Sequence, residues 1–384
     1  GSSHLAKSQV SRAAISQHQS KIGMAAVVDA EDGLATVLPD GVYRGKKAQL
    51  PVDVIFPLLE PILAFGGVTS YFILALTAYK RWFGSAAVMA AYNALCLAMG
   101  NASEDSELLK AGRRFYHMMI TRSLPTLEFL DAVPPHTGAT RPRCLFLLPH
   151  GLFCIAGKRY CIDVTSSGRH PGRKWTFFVD DKLCALSPMM KASARLCGSA
   201  RIYPVGDKHV RTAMANREDC VVFPGGFIEA TCTSRSCLRL YTGTYGYWVN
   251  RCIEHGYDIE VVLIYHGSDI WEQGEAFFET RLACAKKGMP GILPTFPSRT
   301  PLAVRELFYT PEQVEPGPAC AEAARRLSTT IIEDMITAYL KDAARVVELT
   351  GKTPKRLELI GKPLTGELPP QAGHAKQRSS MSRL

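Results

Sequence analysis

Two short segments of this 384-residue chain combine a group able to move a proton with glycines that let backbone and substrate come close. In the first, Pro149-His150-Gly151 follows the apolar run Cys144 to Leu148. In the second, Val221-Val222-Phe223-Pro224-Gly225-Gly226 leads into Phe227-Ile228-Glu229. Imidazole titrates at about 6.5 and is largely an unprotonated base at neutral pH, so His150 could take a proton from a hydroxyl. Glycine carries no Cβ, so Gly151, Gly225 and Gly226 leave backbone N–H groups able to face a developing oxyanion. Glu229 could hold His150 in the tautomer a base needs. Taken singly, Pro-His-Gly also suits a turn that caps a strand, and an acid at 229 also suits a helix N-terminus.

Such residues act together only if the fold brings two strand ends to one place. Short apolar runs at Cys144 to Leu148, Thr176 to Val179, Ala200 to Pro204, Cys220 to Phe223 and Ile259 to Tyr265 read as buried strands, with helical stretches between them. That alternation predicts an α/β fold, a layered and largely parallel sheet flanked by helices. The crevice outside the carboxyl ends of its strands is the expected ligand position. A helix is predicted over Glu104 to Leu130, with Leu108, Phe115, Met119 and Leu127 on its apolar side and Pro134-Pro135 beyond it. A second covers Cys320 to Leu349, with Leu327, Ile331, Met335 and Tyr339 recurring at helical spacing.

Ahead of this domain, Pro61 to Tyr79 and Trp82 to Gly100 hold no charged side chain and are separated by Lys80-Arg81. Each is long enough to cross a hydrocarbon layer, and Tyr71, Tyr79 and Trp82 are placed to anchor at an interface. A membrane hairpin, crossing or re-entrant, is expected over 51–101; Gly66, Gly67, Ser85 and Asn93 leave two buried core helices as the competing reading. The remaining organisation is a flexible arm over 1–50, the α/β domain over 102–361 and a disordered tail over 362–384.

The balance of 45 Lys and Arg against 35 Asp and Glu, net +10, favours anionic partners. Basic residues do not interleave with aromatics on one element, so nucleic acid is not expected. The 12 cysteines fall singly, with no C-x-x-C pair, and read as reduced core thiols with neither a metal site nor a disulfide framework. No Gly-x-Ser-x-Gly elbow, H-E-x-x-H or G-x-x-x-x-G-K motif occurs, against a serine hydrolase, a zinc peptidase and a nucleotide-binding loop. No secretory signal opens the sequence, so synthesis facing the cytosol is expected. Oligomeric state has no signature.

Pro149-His150-Gly151 with Gly157 six residues on resembles the His-Pro-His-Gly block of the type 2 diacylglycerol acyltransferase family, which includes mono- and diacylglycerol acyltransferases and wax synthases. Gly225-Gly226 with Glu229 resembles that family's Gly-Gly-x-x-Glu block. Tyr247 to Gln273, which reads Val261-Val262-Leu263-Ile264-Tyr265-His266-Gly267-Ser268-Asp269 within it, resembles a third block, and the apolar hairpin precedes the first, so the likeness spans about 52–350. It implies a glycerol-phosphate acyltransferase-like fold and an acyl-CoA-dependent O-acyltransferase that esterifies a neutral lipid hydroxyl. Diacylglycerol is the first expectation for the acceptor, monoacylglycerol or a wax alcohol the next. It further implies an endoplasmic reticulum membrane location with the catalytic part facing the cytosol, and the lipid droplet as a second location. This sequence departs from the pattern at Leu148, where the family has its first histidine, and at Ser268, where it has glutamate. Ile155 stands where the wider superfamily places an aspartate, which removes a local His/Asp dyad, and glycine replaces the acid of the turn that serves phosphate-bearing acceptors.

On this reading acyl-CoA is a co-substrate and no cofactor is permanently bound. Lys158, Arg159, Lys174, Lys182, Lys208 and Arg211 are the candidates for the coenzyme A phosphates. His150 deprotonates the acceptor as it attacks the thioester, and coenzyme A leaves as a thiolate, so no acyl-enzyme is required. Cys154 lies close by in sequence, but no activating partner for it is legible. A non-catalytic lipid-binding membrane protein that kept the fold is the alternative from a different class.

Overall fold

The structure, a computed structural model, describes residues 83–131, 141–151, 154–166, 173–180, 188–232, 234, 237–274, 276–286, 294–297 and 300–360. The expected arm (1–50), the tail (362–384) and the first half of the expected hairpin lie outside these.

Among the described residues seven strands form one sheet in the order β1 (Leu127–Phe129), β10 (Leu302–Tyr309), β7 (Asp258–Tyr265), β2 (Arg143–Leu148), β5 (Asp219–Val222), β3 (Trp175–Val179) and β4 (Ser199–Pro204). All neighbours are parallel except β10 and β7. The five strands read from the sequence are therefore present to within a residue at each end. Their unbroken apolar character follows from burial on both faces. Along β2, Cys144, Phe146 and Leu148 pack into one apolar layer and Leu145 and Leu147 into the other, the two-residue period of an extended chain.

The first layer is closed by α5 (Asp207–Ala215), α7 (Tyr245–His255) and α9 (Pro318–Thr350), through Met214, Trp248 and Ile253, and Ile331 and Met335. The second is closed by α2 (Glu107–Ser123), α3 (Ile155–Ser166) and α4 (Pro188–Leu196), through Leu109, Ile120, Tyr160, Val164 and Leu196. Helices on both faces make this a three-layer α/β fold with a mostly parallel sheet. A short ribbon, β6 (Cys237–Tyr241) with β11 (Arg356–Ile360), is parallel and brings the end of the described chain back to the body; a second, β8 (Trp271–Gln273) with β9 (Pro294–Pro297), is antiparallel, with α8 (Phe278–Lys286) between them in the chain.

Two expectations about helices change. The helix predicted to reach Leu130 stops at Ser123, where the Leu124 N–H is spent on Ile120 O at 2.9 Å and Pro125 follows. The chain then enters β1. Its buried face carries Leu109, Tyr116 and Ile120, while Leu108 and Phe115, expected inside, are exposed. Both sets keep helical spacing, so periodicity alone could not choose the phase.

The apolar hairpin is not supported as predicted. Its second run is α1 (Phe83–Asn101), a helix rich in alanine that seats Cys96 against Ala192 of α4 and buries Asn93. Among the described residues no helix is long and apolar enough to cross a membrane. Alanine, Ser85 and Asn93 dilute a run that is uncharged but only moderately apolar.

Candidate active site

β2 and β5 are paired in parallel, with Cys144 opposite Cys220 and Phe146 opposite Val222. Parallel pairing forces the turns after the two strands to leave the sheet at the same edge, so His150 and Glu229 meet although they are 79 residues apart. β7 lies on the other side of β2, and its following turn, Gly267–Asp269, joins them. A Cβ on Gly151 would sit 3.5 Å from Gly267 O, and Gly151 itself holds a φ of +59° that a side chain would strain.

Glu229 lies in the first turn of α6 (Gly226–Cys232) and is fully buried. Its carboxylate folds back over Gly225, where a Cβ would come within 2.1 Å of Oε2, so position 225 has no room for a side chain. Oε1 accepts the backbone N–H of His150, and Oε2 accepts the backbone N–H of Tyr241 at 3.1 Å. One acid thereby ties the turn after β2 and the end of β6 to the helix that follows β5. Burial pushes its pKa up to about 7, against the pull of the two N–H groups.

The expected contact of Glu229 with the His150 ring is replaced by this backbone contact. The ring is oriented by its own turn: Nδ1 lies 2.6 Å from Gly151 O, and a carbonyl only accepts, so the proton is on Nδ1 and Nε2 carries the lone pair. The Phe223 ring stands edge-on to the imidazole at 5.3 Å between centroids. Phe223 in turn fills the space left by Gly157, where a Cβ would lie 2.6 Å from it. Burial chiefly, with the Lys158 charge adding, lowers the His150 pKa to about 4 against the Gly151 carbonyl's pull, so the ring is a neutral base throughout the physiological range.

Reading the sequence missed the partner of Cys154. Its Sγ lies 3.0 Å from His150 Nε2. It is also 3.5 Å from Nδ1, so the sulfur stands over the face of the ring and not along the Nε2 lone pair. Cys154 immediately precedes α3 and its carbonyl accepts the Lys158 N–H at 3.0 Å, which makes it the residue capping that helix. The available signal was a cysteine directly before a predicted helix and four residues after the histidine.

The third block supports the site from below. His266 donates its Nδ1–H to the Asp269 carboxylate at 2.9 Å. Asp269 also meets Lys352 at 2.6 Å and Lys355 at 2.8 Å. Its ion partners and the His266 bond outweigh burial and hold its carboxyl well below the usual carboxylate range. Ser268 is buried beside it.

The candidate coenzyme A cations separate. Lys158, in the first turn of α3, is close enough for its charge to act on His150. Arg159 bonds Asp163 at 2.9 Å and Ile120 O at 3.1 Å, pinning α3 to α2. Lys208 is exposed at the start of α5, on the same sheet edge as the site but beyond β3. Arg211 is paired with Asp207 and Glu254. Lys174 precedes β3 and so stands at the opposite edge, away from His150. Lys182 lies outside the described residues. Backbone amides of Ile155, Ala156 and Gly157, in the first turn of α3, have no acceptor within the helix and lie at the end that Cys154 begins.

No protein-family model matches the chain, and no curated protein matches its sequence. The class that fold and site define is thus a three-layer α/β protein with a histidine, a thiol and a buried acid at the carboxyl edge of its sheet.

Proposed function

We propose that this protein is an acyl-CoA-dependent O-acyltransferase that esterifies a neutral lipid hydroxyl, diacylglycerol to triacylglycerol first among them, with His150 as general base. The observation that carries this reading is the clamp of Glu229 on the His150 N–H at the carboxyl ends of β2 and β5. It unites the two segments on which the resemblance rests. A neutral imidazole with its lone pair on Nε2 suits proton removal from a hydroxyl or thiol. Amides at the start of α3 suit an oxyanion on a thioester carbonyl. Coenzyme A thiolate is a good leaving group, so one base suffices. Lys208, exposed at the carboxyl edge of the sheet, is the candidate for its phosphates.

Contact with the endoplasmic reticulum membrane, or a lipid droplet, belongs to the same proposal. Leu95 and Leu97 of α1 and Leu108, Phe115 and Met118 of α2 are exposed, and exposed apolar side chains on these two helices suit contact with a bilayer.

The test uses purified full-length protein, radiolabelled oleoyl-CoA and a panel of diacylglycerol, monoacylglycerol, long-chain alcohol and sterol. Labelled ester is expected with diacylglycerol, falling roughly a hundred- to ten-thousand-fold in His150→Ala. Absence of ester with every acceptor overturns the reading and leaves the lipid-binding alternative.

A further inference from the structure

Glu229 takes its two backbone donors from different kinds of structure. His150 follows β2, near the centre of the seven-stranded sheet, whereas Tyr241 ends β6, which belongs only to the ribbon with β11. An isolated pair of strands is marginal in water, so the place of this ribbon relative to the sheet has to come from contacts outside its own ladder. Leu238 and Leu240 pack into the first apolar layer, but apolar contact is non-directional and leaves slide and tilt loosely set. Directional contacts converge on Lys355, the residue before β11. Its side chain is 6% exposed, and Nζ lies 2.8 Å from Asp269 Oδ1, 3.2 Å from Glu272 Oε1 and 2.6 Å from Ser234 O. An ammonium has three N–H donors, and three segments supply acceptors to this one: the turn after β7, strand β8, and the link between α6 and β6. The Lys355 carbonyl in turn accepts the Tyr339 hydroxyl of α9 at 2.8 Å.

We infer that Lys355 is a positioning residue for the base, fixing the β6–β11 ribbon so that the Tyr241 N–H meets Glu229. This rests on the acyl-CoA reading above for its effect on rate. The path of contacts is continuous. Asp269 and Glu272 hold Lys355, and Lys355 leads into β11, where Ile360 is paired with Tyr241 and its carbonyl accepts the Thr242 N–H at 3.0 Å. The Tyr241 N–H reaches Glu229 Oε2 at 3.1 Å, and Oε1 of the same carboxylate holds the His150 N–H. Arg239 and Glu358, 2.8 Å apart, join the two strands to each other, so this pair does not place the ribbon against the sheet. The turn that carries Asp269 also stands beside the base, with Gly267 against Gly151. One cluster thus sets both sides of the His150 turn from a residue that lies about two hundred positions away in the chain and has no part in the chemistry itself. Taking the ammonium away leaves Asp269 and Glu272 facing a buried place without the charge that tied them to β11.

The experiment compares the purified full chain with Lys355→Met, which keeps the reach of the side chain and removes its charge, and with Asp269→Asn, which keeps the shape of the acceptor and removes its charge. Hydrogen exchange at single backbone amides, read by nuclear magnetic resonance, needs no substrate. In both variants the His150 and Tyr241 amides are expected to exchange at least about tenfold faster, while Val262, in the middle of β7, keeps its protection. With oleoyl-CoA and diacylglycerol, kcat of Lys355→Met is expected to fall about ten- to a hundredfold with KM for oleoyl-CoA within about twofold of wild type. In a Glu229→Gln background the same change is expected to add less than about threefold, because both act through one carboxylate. A His150 amide as protected as in wild type overturns the inference, and so does equal loss of protection at His150 and Val262, which would leave Lys355 a role in stability alone. A full multiplicative loss in the double variant overturns it as well. Asp269→Asn decides the exchange measurement if Lys355→Met does not fold. A wild type that makes no ester overturns the acyl-CoA reading only, and exchange at His150 still decides the positioning role.

Discussion

The carboxylate of Glu229 holds His150 by its backbone N–H, while the ring of His150 is turned by the Gly151 carbonyl 2.6 Å from Nδ1. The acid therefore sets where the base stands, not which of its nitrogens is protonated. That division makes Glu229 a positioning residue and gives its substitution a signature distinct from loss of the base.

Glu229→Gln keeps one acceptor oxygen for two backbone donors, so the N–H of His150 or of Tyr241 goes unmet in a buried place. An unsatisfied buried donor costs about 1–3 kcal/mol, and transfer is expected to fall by about five- to a hundredfold. The readout specific to positioning is the pH profile. Wild-type activity is expected to fall on acidification near pH 7, where Glu229 protonates and loses an acceptor, and the variant to lose that limb and retain one near pH 4 from His150. A variant with an unchanged limb near 7 would remove Glu229 from the mechanism.

The adjacent glycines should respond differently. A methyl on Gly225 collides with Glu229 Oε2 and Cβ, at 2.1 and 2.3 Å, so Gly225→Ala is expected to dislodge the clamp and abolish transfer. A methyl on Gly226 meets nothing within 4 Å and faces only the strain of a φ of +48°, about 1–2 kcal/mol. Thermal melting and transfer assays on the two variants compare these directly; equal effects would contradict the geometry.

Stability against pH should reveal the two groups with opposite signs. Glu229 is raised to about 7 from 4.5, so its contribution to stability is present below pH 4.5 and lost as pH rises to 7. His150 is lowered to about 4 from 6.5; the unfolded chain takes the proton first, and stability is lost as pH falls from 6.5 to 4. Between pH 4.5 and 6.5 the two offset each other. In urea unfolding across that window, Glu229→Gln is expected to lose stability on acidification relative to wild type. His150→Gln is expected to gain it, by up to about 3 kcal/mol from the buried carboxyl. Curves that diverge in the same direction would refute the assignment.

Gly157→Ala tests the support of the base from the side. The added methyl would lie 2.6 Å from the Phe223 ring, which stands against His150. Overpacking of this kind costs about 1–3 kcal/mol, and displacing the ring loosens the imidazole. Chemical denaturation should show the stability loss, and transfer should fall more than in a control such as Ala156→Gly. Full activity with unchanged stability would show that the turn tolerates what the geometry forbids.

The sequence by itself determined the alternation of strands and helices, because burial of a central parallel strand on both faces leaves an unbroken apolar run that is visible locally, as in Leu145 to Leu148 and Val261 to Ile264. It also determined that His150 follows a strand and that a glycine turn separates the strand at Cys220 from Glu229. Tertiary structure alone decided which atoms meet. Register between β2 and β5 brings Glu229 to the N–H and not the ring of His150, and the start of α3 sets the Cys154 thiol over that ring. It also decided that β10 runs antiparallel beside β7, that α2 buries Leu109 and not Leu108, and that Lys352 and Lys355 return from beyond α9 to Asp269. Periodicity reports how often a residue faces the core. Pairings between segments far apart in the chain depend on strand register and helix phase, which no local pattern encodes.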